Sequence, residues 1–213
     1  MHKPVLPVVV LIILLAASLL TAGSADISTG AKKGNWIQYQ VTEIGNPTAD
    51  YNITWARMDV TAVQGEKITV DVKTGYANGT IYPEPQIPLN LATGAIGDGF
   101  FIPINLNLGD QFYSEYQGNI TITSVWHIEV AGAIRTVVSA TTNQTTYYWD
   151  RQTGILVGAT TSFASFTLFT ETSATNLWQP EFSGRDFIFF SIIAVVVVAA
   201  GVATVLIFVW RKK

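Results

Sequence analysis

The run Phe187–Trp210 holds 24 residues without a charge and closes on Arg211-Lys212-Lys213. No other stretch limits so strongly what the chain can become. As a helix it would reach about 36 Å, more than the ~30 Å hydrocarbon core of a bilayer. Lys and Arg clusters stay on the cytoplasmic side. Residues 187–210 are therefore expected to form one transmembrane helix, 211–213 a cytoplasmic basic tail, and the preceding chain to lie outside the plasma membrane. The lipid bilayer is the first partner implied. Composition agrees: charged residues make up only 13% of the chain, about half the share usual in soluble domains.

The first 25 residues carry Lys3, an apolar stretch from Val5 to Ala22, and then the small residues Gly23, Ser24 and Ala25. This is the order of a secretory signal peptide with a cleavage site before Asp26; an uncleaved N-terminal anchor is the other reading, and both give the same topology. Residues 26–186 are then an extracytoplasmic domain. All 15 acids fall between Asp26 and Asp186, where only 8 of the 12 Lys and Arg lie. A domain with a net charge of 8 − 15 = −7 has no electrostatic footprint for nucleic acid. The absence of cysteine excludes disulfides, thiolate metal sites and a cysteine nucleophile.

The domain reads as all-β. It is rich in Thr, Val, Ile and aromatic residues and has no apolar stripe at helical spacing. Lys67–Lys73 alternates polar and apolar residues without a fault, the mark of a strand with one wet face. From Asn119 to Val130, Ile120, Ile122, Trp126, Ile128 and Val130 share one face and are expected in the core, while Asn119, Thr121, Thr123, His127 and Glu129 face solvent. Further strands are expected at Tyr51–Val63, Lys67–Tyr76, Ile134–Thr141, Thr145–Trp149, Ile155–Thr161 and about Phe166–Thr172. Gly65, Gly132, Asn143-Gln144 and Asp150–Gly154 supply turns, and Asn78-Gly79 is a type I′ hairpin candidate. Five consecutive strands with short links make an antiparallel meander, forming a curved sheet or a sandwich. Between Pro83 and Gly109, prolines and glycines with almost no charge predict either a long irregular excursion or edge-strand material.

Asn52, Asn78, Asn119 and Asn143 each open an N-x-T sequon, whereas Asn46-Pro-Thr48 fails the rule. All four lie in the outside domain, so N-glycosylation is expected at these positions. A glycosylated surface domain without disulfides suits an archaeal envelope better than a eukaryotic one.

Catalytic constellations are sparse. His127 is the one histidine of residues 26–186 and lies mid-strand among threonines, with no G-x-S-x-G elbow in the chain. Asp98, Asp110 and Glu115 follow the Pro/Gly excursion and could converge as a carboxylate pair for glycan hydrolysis. No cofactor, metal set or catalytic group is expected from these residues. The aromatic content, from Trp36 and Tyr39 to Tyr147-Tyr148-Trp149, is more informative, because such rings fill β cores, stack on sugars or line lipid-holding grooves. Rings on both faces of Tyr147–Trp149 require at least one face to be covered.

The hairpin Tyr148-Trp149-Asp150-Arg151-Gln152-Thr153-Gly154-Ile155-Leu156 resembles the aromatic-x-Asp-x-x-Thr-Gly-hydrophobic turn of secreted curved-sheet proteins of the lipoprotein-sorting (LolA-like) type. It is also similar to a hairpin of uncharacterised archaeal single-pass surface proteins, whose whole layout matches. The first resemblance implies a half-barrel that carries lipid anchors under a helical cover, and no such helix is legible in this sequence. The second implies no activity. The expectation is a membrane-anchored, glycosylated cell-surface protein whose β ectodomain binds an envelope protein or glycan or serves as a structural component, without catalysis. A membrane-tethered lipid or hydrophobic-ligand binder and a carboxylate-dependent glycan hydrolase are the alternatives.

Overall fold

The computed structural model of the protein describes residues 27–46, 52–97 and 99–181. The leader, the expected membrane helix 187–210, the basic tail 211–213 and Asp98 lie outside the described residues. What is described is all-β, with eleven strands: β1 (Trp36–Gly45), β2 (Ile53–Gln64), β3 (Lys67–Tyr76), β4 (Ile81–Asn90), β5 (Gln111–Ser114), β6 (Gly118–Thr121), β7 (Ser124–Val130), β8 (Ala133–Thr142), β9 (Thr145–Asp150), β10 (Leu156–Ser162) and β11 (Phe166–Thr175). Nine of them form one antiparallel sheet in the order β4-β3-β2-β1-β11-β10-β9-β8-β7, and β5 and β6 form a separate two-stranded ribbon.

The meander β7–β11 is present as the turn pattern predicts. A second meander, β1–β4, joins it through the β1–β11 pair, in which Ile37 lies opposite Thr175 and Gly45 opposite Phe166. Strand β1 is not among the strands expected from the sequence, although Ile37, Tyr39 and Val41 alternate there with Gln38, Gln40 and Thr42. The proline-rich stretch divides between its two readings. Pro83, Pro85 and Pro88 sit in β4 at the edge of the sheet, where a missing donor spoils no central ladder. Residues 91–110 are the irregular excursion. The Asn119–Val130 run is also divided: Asn119–Thr121 belongs to the ribbon and Ser124–Val130 to the large sheet. The alternation nevertheless holds through the break, with Ile120, Ile122 and Val130 buried and Thr121, His127 and Glu129 exposed.

One turn differs from expectation. Gly79 has φ +81° but Asn78 is not left-handed. The Gly79 N–H donates to Tyr76 C=O, and the Tyr76 N–H to Thr80 C=O. This is a three-residue loop closed by a glycine bulge, not a type I′ turn. A left-handed pair occurs at Ala131 (φ 47°) and Gly132 (φ 79°), where Gly132 is expected to turn the chain between β7 and β8.

Strand parity defines an inner face, carrying Ile37, Tyr39, Met58, Val60, Ile68, Val70, Val138, Ala140 and Trp149, all buried. The excursion and the ribbon cover it with Leu91, Ile96, Phe101, Ile102, Phe112 and Ile120. The Trp149 indole N–H donates to Gly99 C=O at 2.6 Å, Phe112 meets the Trp149 ring edge-on, and Phe101 bridges to Ile155. The outer face is mostly polar along β1–β3, with Gln40, Asp59 and Lys73, and becomes apolar towards β7–β11, with Trp126, Ile128, Tyr148 and Phe169.

The Asp150–Gly154 turn ties these layers together. The Asp150 carboxylate is fully buried and accepts from Arg135 Nε at 2.9 Å, the Thr153 N–H at 2.9 Å and the Thr153 hydroxyl at 2.7 Å. Arg151 donates to Leu106 C=O and to the Asn107 amide oxygen in the excursion. The Ile102 N–H donates to Gly154 C=O, and the Gly30 N–H to Thr153 C=O. The segment after β11 returns over the outer face, laying the Trp178 ring 4.7 Å from the Arg135 guanidinium and donating its indole N–H to Val130 C=O.

Candidate functional site

The inner face is not filled along its whole width. Strands β1–β3 present the long side chains Tyr39, Met58 and Val72, whereas β10 and β11 present Ala159, Thr161 and Thr170. Small residues beside large ones on one face of the sheet leave space. A cavity of about 400 Å³ remains, with Phe100 from the excursion and Tyr147 from β9 closing its sides. Val72 on β3 and Tyr147 on β9 stand five strand spacings apart, about 24 Å along a flat sheet.

The lining is mostly apolar, and the polar ends of Tyr39, Thr145 and Thr161 are engaged. The Tyr39 hydroxyl donates to Leu156 C=O at 2.8 Å, and its burial raises its pKa far above the usual phenol range. Arg57 lies at the rim, but its side chain is on the outer face with its register partners Gln38 and Lys73, where it donates from Nε and Nη2 to Asp59 and stacks 4.1 Å from the Trp36 ring. The bonds to Asp59 hold its pKa above the ordinary guanidinium value. Thr145 and Thr161 share a hydrogen bond at 3.0 Å. Among the lining side chains, none is a charge left without a partner to meet an ionic headgroup. A trough of about 520 Å³ lies on the opposite, outer face, between Trp126, Tyr148 and Phe169, with Glu129 and Glu171 among its lining residues.

The residues picked out from the sequence fall as follows. Asn52, Asn78, Asn119 and Asn143 are all exposed. Asn52 and Asn78 meet at one end of the β2–β3 pair, where the Ala77 N–H donates to Asn52 C=O. Asn119 lies on the ribbon, and Asn143 takes φ 49° in the β8–β9 turn. His127 is exposed in mid-β7. Asp110 and Glu115 flank β5 at its two ends, about 16 Å apart along an extended chain, beyond the 5–9.5 Å that hydrolytic carboxylate pairs use. Asp98, the third acid, lies outside the described residues. Among the described residues no three His, Asp or Glu side chains come together to hold a metal.

Three cavity residues, Tyr39, Phe100 and Tyr147, are aromatic and conspicuous in the sequence; Ala159, Thr161 and Thr170 are not. Their signal was a strand pair whose inner positions are small, and it becomes readable only once the inner face is known.

No family model matches the chain, and no curated protein matches it. Among solved structures the siderocalin Ex-FABP, described as functioning through dual ligand specificities, aligns over 76% of this chain and 83% of its own at 14% identity, with a TM-score of 0.24. A score that low carries no weight for fold or ligand.

Proposed function

We propose that this is a membrane-anchored surface protein whose β domain binds an uncharged hydrophobic ligand in the inner-face cavity. The observation behind this reading is the cavity itself: about 400 Å³, within the ~300–1,000 Å³ of small-molecule sites. Its apolar walls favour an apolar guest through removal of surface from water. Tyr39, whose hydroxyl could greet a carboxyl, already has a partner, and strand parity turns the Arg57 side chain to the outer face, so a neutral ligand suits the lining best. Anchoring by 187–210 rests on the uncharged run and its basic stop.

The test is titration of the full-length protein with the neutral fluorophore N-phenyl-1-naphthylamine, alongside Ala159→Phe, which adds a ring to the cavity wall. Saturable binding should weaken by roughly tenfold or more in the variant, equivalent to about 1.4 kcal/mol. Equal affinity in a folded variant, or no uptake by the wild type, would sink the ligand reading and leave a structural envelope component.

A further inference from the structure

The two edges of the nine-stranded sheet are built differently. Strand β4 carries three prolines, and Gln86 at φ 57° shifts its register against β3. Both features blunt an edge against further pairing. Strand β7, Ser-Val-Trp-His-Ile-Glu-Val, has no proline, glycine or lysine, and its ladder with β8 runs from Ser124 to Val130 without a shift.

The direction of its backbone groups follows from the turn. With a two-residue loop between them, Val130 and Ala133 form the first hydrogen-bonded pair, and the even residues of β7 bond the odd residues of β8. The other side of β8 agrees, since Thr136 C=O turns the opposite way and accepts from the Arg151 N–H. Val125, His127 and Glu129 therefore aim their N–H and C=O groups outward, and among the described residues no strand lies beyond them.

We propose that this edge pairs antiparallel with the same edge of a second copy of the chain, across a two-fold axis at His127. The sequence of β7 complements itself in that register. His127 meets its twin, and Val125 meets Glu129 in two hydrogen-bonded pairs, giving about six new backbone bonds. On the outer face Trp126 lies opposite Ile128 of the second copy, a favourable aromatic with β-branched pair. On the other face Glu129 lies diagonal to His127 of the second copy, so the acid and base of one strand complement those of the other. Any other two-fold register within the strand shortens the overlap. The interface is isologous and closes at two copies, leaving the proline-bearing β4 edges at both ends.

Because the chain has no cysteine, single-cysteine variants of the full-length protein in detergent test the register. His127→Cys places two thiols on residues about 5.5 Å apart at Cα, within disulfide reach, and should give a covalent dimer under mild oxidation. Val125→Cys lies about 13 Å from its twin and should not, whereas mixed Val125→Cys and Glu129→Cys chains should cross-link. Light scattering should find a dimer for the wild type and a monomer for His127→Pro, whose lost N–H bonds nothing in β8, and also for Val125→Lys. A monomeric wild type, cross-linking of Val125→Cys as readily as His127→Cys, or a dimer persisting in both edge variants would overturn the proposal.

Discussion

Asp150 illustrates what a single side chain can hold. Its carboxylate is buried beside Arg135 and accepts two further bonds from Thr153. Asp150→Asn keeps the shape but removes the charge and turns a donor towards donors. Breaking one partner of such a pair costs about 3–5 kcal/mol, and chemical denaturation should register a loss of that order. Tyr39 gives a pH signature. Burial raises its pKa in the folded protein above the ordinary phenol value of about 10, so at alkaline pH the folded state holds a proton that the unfolded state releases. Its contribution is complete below about pH 10 and declines as pH rises beyond that. The alkaline fall in melting temperature should be shallower in Tyr39→Phe, which at neutral pH loses only the bond to Leu156, about 1 kcal/mol.

At the scale of elements, legibility followed the strength of the local pattern. Lys67–Tyr76 was readable because its alternation is uninterrupted as far as Lys73, and the β7–β11 meander because turn residues punctuate it. The Asp150–Gly154 motif was legible as a turn, and the turn is present: the Thr153 N–H donates to the Asp150 carboxylate, and Gly154 takes φ 73°. Hidden were the pairing of β1 with β11, which local sequence does not encode, and the cavity, which is created by Ala159, Thr161 and Thr170 facing larger residues on strands far away in the chain. The β7–β8 turn was marked by Gly132 alone, because Ala131 is a poor marker of a left-handed position. That residue offers a stabilising change. Ala131→Asn installs the Asn-Gly pair such a turn prefers, and thermal unfolding should show a gain of about 0.5–1 kcal/mol.

For the whole molecule, the proposed topology makes a statement about cells. Protease added to intact cells should remove the β domain and leave a short membrane-bound remnant, and glycosidase should lower the apparent mass. An unchanged mass would count against the sequons at Asn52, Asn78, Asn119 and Asn143 without touching the anchor. A tail tag at Lys213 reachable by antibody on unbroken cells would reverse the orientation. The seam between β1 and β11 also bears on how the protein is made. Residue 45 emerges from the ribosome long before residue 175, and at the usual 5–20 residues per second that gap of 175 − 45 = 130 residues lasts roughly 6–26 s. Throughout it, the first four strands wait with a sticky flank that only the last-made strand can occupy, so biosynthesis of this protein is expected to lean on a holding chaperone.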